Sequence, residues 1–410
     1  MEVFHGLFYI SGEFREKYVV VENGIIKEVK NELSGIGVTS IPGHIFPGGV
    51  DMHVHFRDPG ETEKEDFGTG SLSAIFGGTT TVCDMPNNKV AITDTATFNS
   101  KLATIGSRSF VDYGLYQAAS KSIVPEAIGQ KIFLGKSTGG LVTDLDDCEW
   151  QNKLKVVHAE LQECLDNNKR EDSDLVSHDI NRPLECELGA IEHVFKYNLS
   201  GTHIAHLTSI RSVELAKSLG FTTEVTPHNL LLNNSFPTAS FGKVNPPLRK
   251  RSVQEELLKN LNSKSIDVIS SDHAPHTIRE KEVFKDAPSG LPGVETRVPL
   301  ILAAYNKGLI SISKAVSVLM ERPSEICKIN KGYIAVGYDA DFISIGLKKV
   351  KKINGEGLHS KCGWTPFEGF EGIFPDLVYI RGEMAVQEGE IESKPMGVFL
   401  NAKEQRAKSS

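Results

Sequence analysis

The feature that most restricts the fold of this chain is an alternation. Eight short, apolar, β-rich runs at 49–56, 79–85, 111–117, 131–135, 155–159, 203–207, 222–226 and 267–271 are separated by stretches of helical pattern. Strand-then-helix alternation is the signature of a parallel sheet covered by helices. Eight such units over about 285 residues predict an α/β fold of the (β/α)8 TIM-barrel type, which takes about 250 residues and more with insertions. A doubly wound sheet does not account for eight as easily. The flanks read differently: 6–10, 18–22 and 25–29 are short strands with Asn23-Gly24 as a hairpin turn, and glycine-bounded apolar strands return at 332–346 and 377–390. Both chain ends are therefore expected to form one small β-sandwich domain (1–46 with 332–400), with the barrel (47–331) inserted between them and a disordered tail at 401–410.

Composition matters here for what it excludes. A formal charge of −8 and no dense Lys/Arg patch argue against nucleic acid or an anionic membrane as partner. No run approaches a membrane span and the N-terminal segment lacks a signal pattern. The six cysteines are scattered with no CxxC pair, so reduced thiols in a cytoplasmic protein are expected.

Polar residues recur at the C-terminal ends of the runs, the end of a barrel where active sites are built. Run one ends in His53-Val54-His55; alternation along a strand points both imidazoles the same way. Run two leads to Asn87, run five to His158, run six to His206 and run eight to Asp272. A lone histidine here would be an ordinary buried residue, but four with an aspartate point to metal. His203 sits three positions before His206 and should face away; His228, His273 and His276 suit loop hydrogen bonds or substrate contacts. Five ligands exceed the three protein ligands of one open catalytic zinc and suggest two ions about 3.5–4 Å apart. Such a pair needs a bridging anion. Run four offers no carboxylate, only Lys131, which would serve if carbamylated by CO2; the alternative is a lysine paired to a neighbouring carboxylate.

The segments FPGGVDMHVHFRDPGE, GGTTTVCDMPNN, KIFLG, VVHAE, AHLTS, EVTPHNLLL, NPPLR, SSDHAPHT, SGLPGVET and WTPFEG resemble, in order, those of the cyclic amidohydrolases, and among them the dihydroorotases. The resemblance covers nearly the whole chain. It implies that His53 and His55 bind one zinc and His158 and His206 the other. Carbamylated Lys131 would bridge both, and Asp272 would be ligand and general acid/base. It further implies that Arg57 and Asn87, completed by His276, clamp a substrate carboxylate, with Pro292 and Gly293 as further substrate contacts. Lys131 resembles the carbamylated branch of the family, whereas NPPLR resembles the bacterial-type segment.

The reaction implied is reversible closure of N-carbamoyl-L-aspartate to L-dihydroorotate in pyrimidine synthesis. In the hydrolytic direction a zinc-bridging hydroxide would attack the ring amide. The rivals are another cyclic amidase, a hydantoinase or allantoinase, and a non-catalytic subunit, which would be expected to lack ligands that are present here. Expected partners are the small-molecule substrate, a second copy of the chain and another enzyme of the pathway. After run four, Ser137 and Thr138 precede Gly139-Gly140 and are expected to form a lid.

Overall fold

The computed structural model describes residues 1–33, 37–136 and 140–402. Ser137 and Thr138 of the expected lid, and 403–410 of the expected tail, lie outside the described residues.

The chain opens with four strands, β1 (Glu2–Ile10), β2 (Glu13–Glu22), β3 (Ile25–Lys30) and β4 (Thr39–Pro47). β2 turns into β3 through Asn23 and Gly24, whose φ angles of 52° and 78° are the two left-handed positions of a tight hairpin. The barrel strands follow: β5 (Gly49–Val54), β6 (Thr79–Asp84), β7 (Asp112–Leu115), β8 (Gln117–Ala118), β9 (Gly129–Phe133), β10 (Leu154–His158), β11 (Thr202–Ile204), β12 (Thr222–Val225) and β13 (Val268–Ile269). Every one of the eight sequence runs holds a strand, the third split at Tyr116 into β7 and β8. The ladders are parallel, β5-β6-β7 and β8 through β13. The ring closes where Val54 bridges His273 in parallel and the His55 amide donates to the His273 carbonyl at 2.7 Å.

These strands are buried almost throughout because helices cover one face and the opposite strands the other. The first two covering helices, α1 (Phe67–Phe76) and α2 (Thr95–Ile105), start at Asp66 and Asp94. In both, the aspartate accepts from the third helical amide and a threonine there returns the bond, a box worth about 1 kcal/mol. One boundary differs from expectation: β9 begins at Gly129, so Lys131 stands mid-strand. Gln130 can occupy the buried ladder because its side chain donates to the Glu149 carbonyl and accepts from the Gln151 amide.

After the barrel come β14 (Phe342–Ile345), the small ladder β15 (Lys351–Lys352) with β16 (Glu371–Gly372), then β17 (Leu377–Ile380), β18 (Glu383–Gln387) and β19 (Glu390–Ile391). Both chain ends meet in one eight-stranded sheet, ordered β19-β18-β17-β14-β4-β1-β2-β3. Phe4, Phe8, Phe342 and Tyr379 pack edge-on in its core, with ring centroids 5.4–5.6 Å apart. Sheet and barrel are joined by a buried ion network. Lys331 reaches Asp112 of β7 at 2.6 Å, Asp339 at 2.6 Å and Asp341 at 3.0 Å, and Arg381 adds a second bond to Asp112.

The expectation of six reduced thiols fails at one pair. Between β10 and β11 the chain makes three helices, α3 (Gln162–Asn168), α4 (Leu175–Asn181) and α5 (Leu184–Phe195), and a disulfide joins Cys164 of α3 to Cys186 of α5. The excursion folds back on itself, bringing the two Cα atoms to 5.4 Å across 22 positions, which no local spacing rule reveals. Cys83, Cys148, Cys327 and Cys362 are free. Among the described residues no helix is long and apolar enough to cross a membrane.

Candidate active site

At the C-terminal ends of the barrel strands lies a pocket lined by His53, His55, Arg57, Asn87, Lys131, His158, His206 and Asp272, eight of the residues singled out from sequence. His53 and His55 do point the same way, with ring centroids 5.3 Å apart, and His53 lies 5.4 Å from His206, which lies 4.7 Å from His158. Asp272 Oδ1 is 3.1 Å from His55 Nε2 and 3.3 Å from His53 Nε2. Lys131 Nζ is 3.5 Å from His53 Nε2.

The chain leaves its strands under strain at this face. Arg57, His206 and Asp272 have φ of 61°, 39° and 47°. Left-handed backbone costs a non-glycine residue about 1–3 kcal/mol, and such strain gathers at working sites. It turns each side chain from the strand end into the pocket.

The outer nitrogens of two histidines are already committed. His53 Nδ1 donates to Glu224 Oε1 at 2.8 Å, and His158 Nε2 to Glu160 Oε2 at 3.0 Å. Glu160 in turn accepts two bonds from Arg182, at 3.0 and 2.6 Å. The inner nitrogens, by contrast, face one another: His158 Nδ1 and His206 Nε2 are 3.0 Å apart, and His206 Nδ1, though buried, has no partner. Burial lowers His55 to about 3 and depresses His158 and His206 as well, so these rings are neutral at pH 7. Neutral imidazoles turned towards one another and towards a carboxylate, with the outer nitrogens of two of them held by carboxylates, are what a divalent metal requires. Among the described residues, His53, His206 and Asp272 bring one donor atom each within 4.8 Å of one another. The donor set fits a metal ion.

The remaining charges are tuned by the same enclosure. Burial would raise the Asp272 carboxyl, but His53, His55 and His206 outweigh it and hold it well below the usual range. Burial drives the Lys131 ammonium down to about 8. Arg57 is buried, donating from Nε to the Pro275 carbonyl at 3.1 Å and from Nη2 to His276 Nε2 at 3.0 Å. No carboxylate lies within ion-pair distance of it among the described residues. Asn87 Oδ1 is likewise buried without a partner.

His276 thus stands behind Arg57. Pro292 and Gly293 do not line the pocket; the Gly293 amide donates to His273 Nδ1 at 3.1 Å, and Ser289 and Gly290 form the wall instead. His203 faces away, as expected, towards Thr222 and Glu224.

A model of the amidohydrolase family matches residues 44–385. The chain belongs to the amidohydrolase family. Along its length this amidohydrolase is similar to the dihydroorotase of Thermoplasma volcanium, 44% identical over 407 residues and covering 97% of both chains. It is also similar to the dihydroorotase of Methanosarcina acetivorans, 33% identical, covering 97% of this chain and 95% of that one. Among solved structures it resembles the L-hydantoinase of Arthrobacter aurescens with a TM-score of 0.88 over 97% of this chain and 99% of that one; at 24% identity the likeness shows the shared fold.

Sequence reasoning missed the residues that stand behind the amidohydrolase pocket. Glu224, in TTEV, is a fully buried carboxylate that serves His53, His203 and the His206 amide. A carboxylate inside an apolar strand was a visible signal; its partners were not. Glu160 stood beside His158 in VVHAE, but Arg182, which holds it, comes from the far side of α4.

Proposed function

We propose that this amidohydrolase is a dihydroorotase, which closes N-carbamoyl-L-aspartate to L-dihydroorotate and reopens it. The observation that carries the reading is Arg57: a buried guanidinium at the pocket, beside the histidine cluster, with no carboxylate of its own among the described residues. Leaving such a cation unpaired costs stability unless a ligand supplies the anion. A substrate that carries a carboxylate on its ring supplies one, and a neutral hydantoin ring does not.

The reading extends to two zinc ions per chain, His53 and His55 holding one, His158 and His206 the other, with Asp272 as a ligand and a carbamate on Lys131 between them. Bound there, the ions would supply Lewis acidity for the ring carbonyl and acidify water to a pKa near about 7. The lowered Lys131 supports the carbamate, since the neutral amine is the form that adds CO2.

The chain's own residues do the rest. Arg57 grips the carboxylate, and His276, accepting the Nη2 proton, holds the guanidinium in plane. Asn87 offers its free amide oxygen to a ring N–H. In ring opening the Asp272 carboxylate takes the proton of the attacking water and delivers it to the ring nitrogen as the C–N bond breaks; in closure the proton travels back. The dihydroorotase relatives support an enzyme acting on a small molecule.

The test is metal analysis of the purified protein with turnover of L-dihydroorotate and of hydantoin. Two zinc ions per chain and preferential opening of dihydroorotate are expected. Faster opening of hydantoin would overturn the assignment.

A further inference from the structure

The pocket has one wall with no ligand residue in it. Val244 and Asn245 form one part, Ser289 and Gly290 another, and they come from loops more than forty positions apart. Buried between and behind these loops is Lys281, fully inaccessible to solvent. Its ammonium donates to three main-chain carbonyls, Lys243 at 3.2 Å, Pro288 at 2.9 Å and Gly290 at 2.9 Å. It has no carboxylate partner within ion-pair distance among the described residues.

Three donors for three carbonyls is the full capacity of an ammonium. Each carbonyl sits in or beside the wall, and the Gly290 amide also donates to the Lys243 carbonyl at 3.0 Å. The second loop runs close against the carboxylate grip: Gly290 has φ of 143°, and a Cβ there would meet the Ala274 carbonyl at 2.4 Å and His276 Nε2 at 3.0 Å. His276 is the residue against Arg57, and Trp364, whose ring lies under the Lys281 ammonium at 5.9 Å, donates to the His276 carbonyl at 2.7 Å. The wall and the carboxylate grip therefore share one frame.

We propose that Lys281 is a positioning residue for substrate recognition, its ammonium pinning the 243–245 and 288–290 loops at the spacing that fits the carboxylate-bearing ring against Arg57. The proposal rests on the dihydroorotase reading. Burial, with Lys243 and Arg57 nearby, works against the charge on Lys281, and Glu280 only partly relieves it; the three carbonyls that accept from the ammonium favour its charged form.

A pin of ground-state fit acts on substrate and transition state alike, so it changes KM and leaves kcat. Lys281→Met is compared with the wild type, both zinc-loaded, for zinc content, melting temperature, kcat and KM on dihydroorotate. Expected is a KM raised about tenfold or more with kcat and zinc retained, and with Lys281→Arg restoring part of the loss. An unchanged KM, or loss of kcat and zinc together, overturns the proposal. If Lys281→Met does not fold, Lys281→Gln, which keeps a donor for one carbonyl, takes its place under the same criteria. Failure of both to fold makes Lys281 purely structural and also overturns it. A wild type that does not open dihydroorotate defeats the functional reading instead, which separates the two failures.

Discussion

Two buried lysines, Lys131 at the mouth of the barrel and Lys331 at its seam with the eight-stranded sheet, are each about 1% exposed, yet their surroundings are opposite. Burial would discharge either one. At the seam Asp112, Asp341 and Asp339 outweigh it and hold the Lys331 ammonium far above its ordinary value, whereas at the mouth no carboxylate among the described residues touches Lys131 and it falls to about 8. The seam is a closed network that joins two layers. The mouth is an open one, with Arg57 unpaired and Asn87 Oδ1 and His206 Nδ1 unsatisfied. Charges that are completed by the protein serve its structure, and charges left incomplete await something else.

Substitution of Lys131 tests the open network most directly. Lys131→Ala should lose metal and at least about 1,000-fold in activity, more than the removal of one hydrogen-bond donor costs, while its melting temperature stays close to wild type. Small carboxylic acids added from outside should restore part of the activity. Full turnover with two metals per chain would show that the mouth does not depend on this lysine.

Lys331→Met should do the reverse. Leaving Asp339 and Asp341 without their cation, and Asp112 with Arg381 alone, should cost about 3–5 kcal/mol in denaturant unfolding. The folded fraction should keep its zinc and its KM, and a variant as stable as wild type would refute the closed-network account.

Arg57→Met separates the grip on substrate from the grip on metal within the mouth. It should keep its zinc and lose about 2–5 kcal/mol of transition-state stabilisation in kcat/KM, with less discrimination against neutral rings. Loss of zinc would place Arg57 in the structural class.

The smallest effect is on pH and stability in the metal-free protein. Lys131 titrates near 8 when folded and near about 10.4 when unfolded, so between these values the unfolded chain holds more protons and stability rises with pH, by about 1–3 kcal/mol. Lys331 is raised above its unfolded value; its contribution is complete below about 10.4 and is lost only at higher pH, as the folded value is passed. Lys281 and Lys314 are lowered in the same way and add to the rise, so unfolding curves at pH 8 and 10 should show a gain that Lys131→Ala reduces; an equal gain in the variant would contradict it.

Much of the site was legible in the sequence. Period-two alternation put His53 and His55 on one side, and the ends of runs five, six and eight supplied His158, His206 and Asp272. Periodicity is local, so it marks which residues a strand presents and at which end. Gly293 was less legible as a substrate contact, because whether a loop residue reaches the pocket depends on how the loop folds; here Gly293 turns its amide to His273 and Gly290 takes the wall.

By itself the sequence determined the eight strands, the barrel end that carries each candidate ligand and the hairpin at Asn23-Gly24, since all of these follow from side-chain alternation and backbone preference over a few residues. Only the tertiary structure decided that Glu224, 171 positions from His53, holds its outer nitrogen. The same holds for Cys164 bonding to Cys186, and for Lys281 finding its three carbonyls. The reason is physical: closing the barrel and folding its loops brings together groups whose separation along the chain leaves no periodic trace, and a buried polar group takes whichever partner that closure delivers.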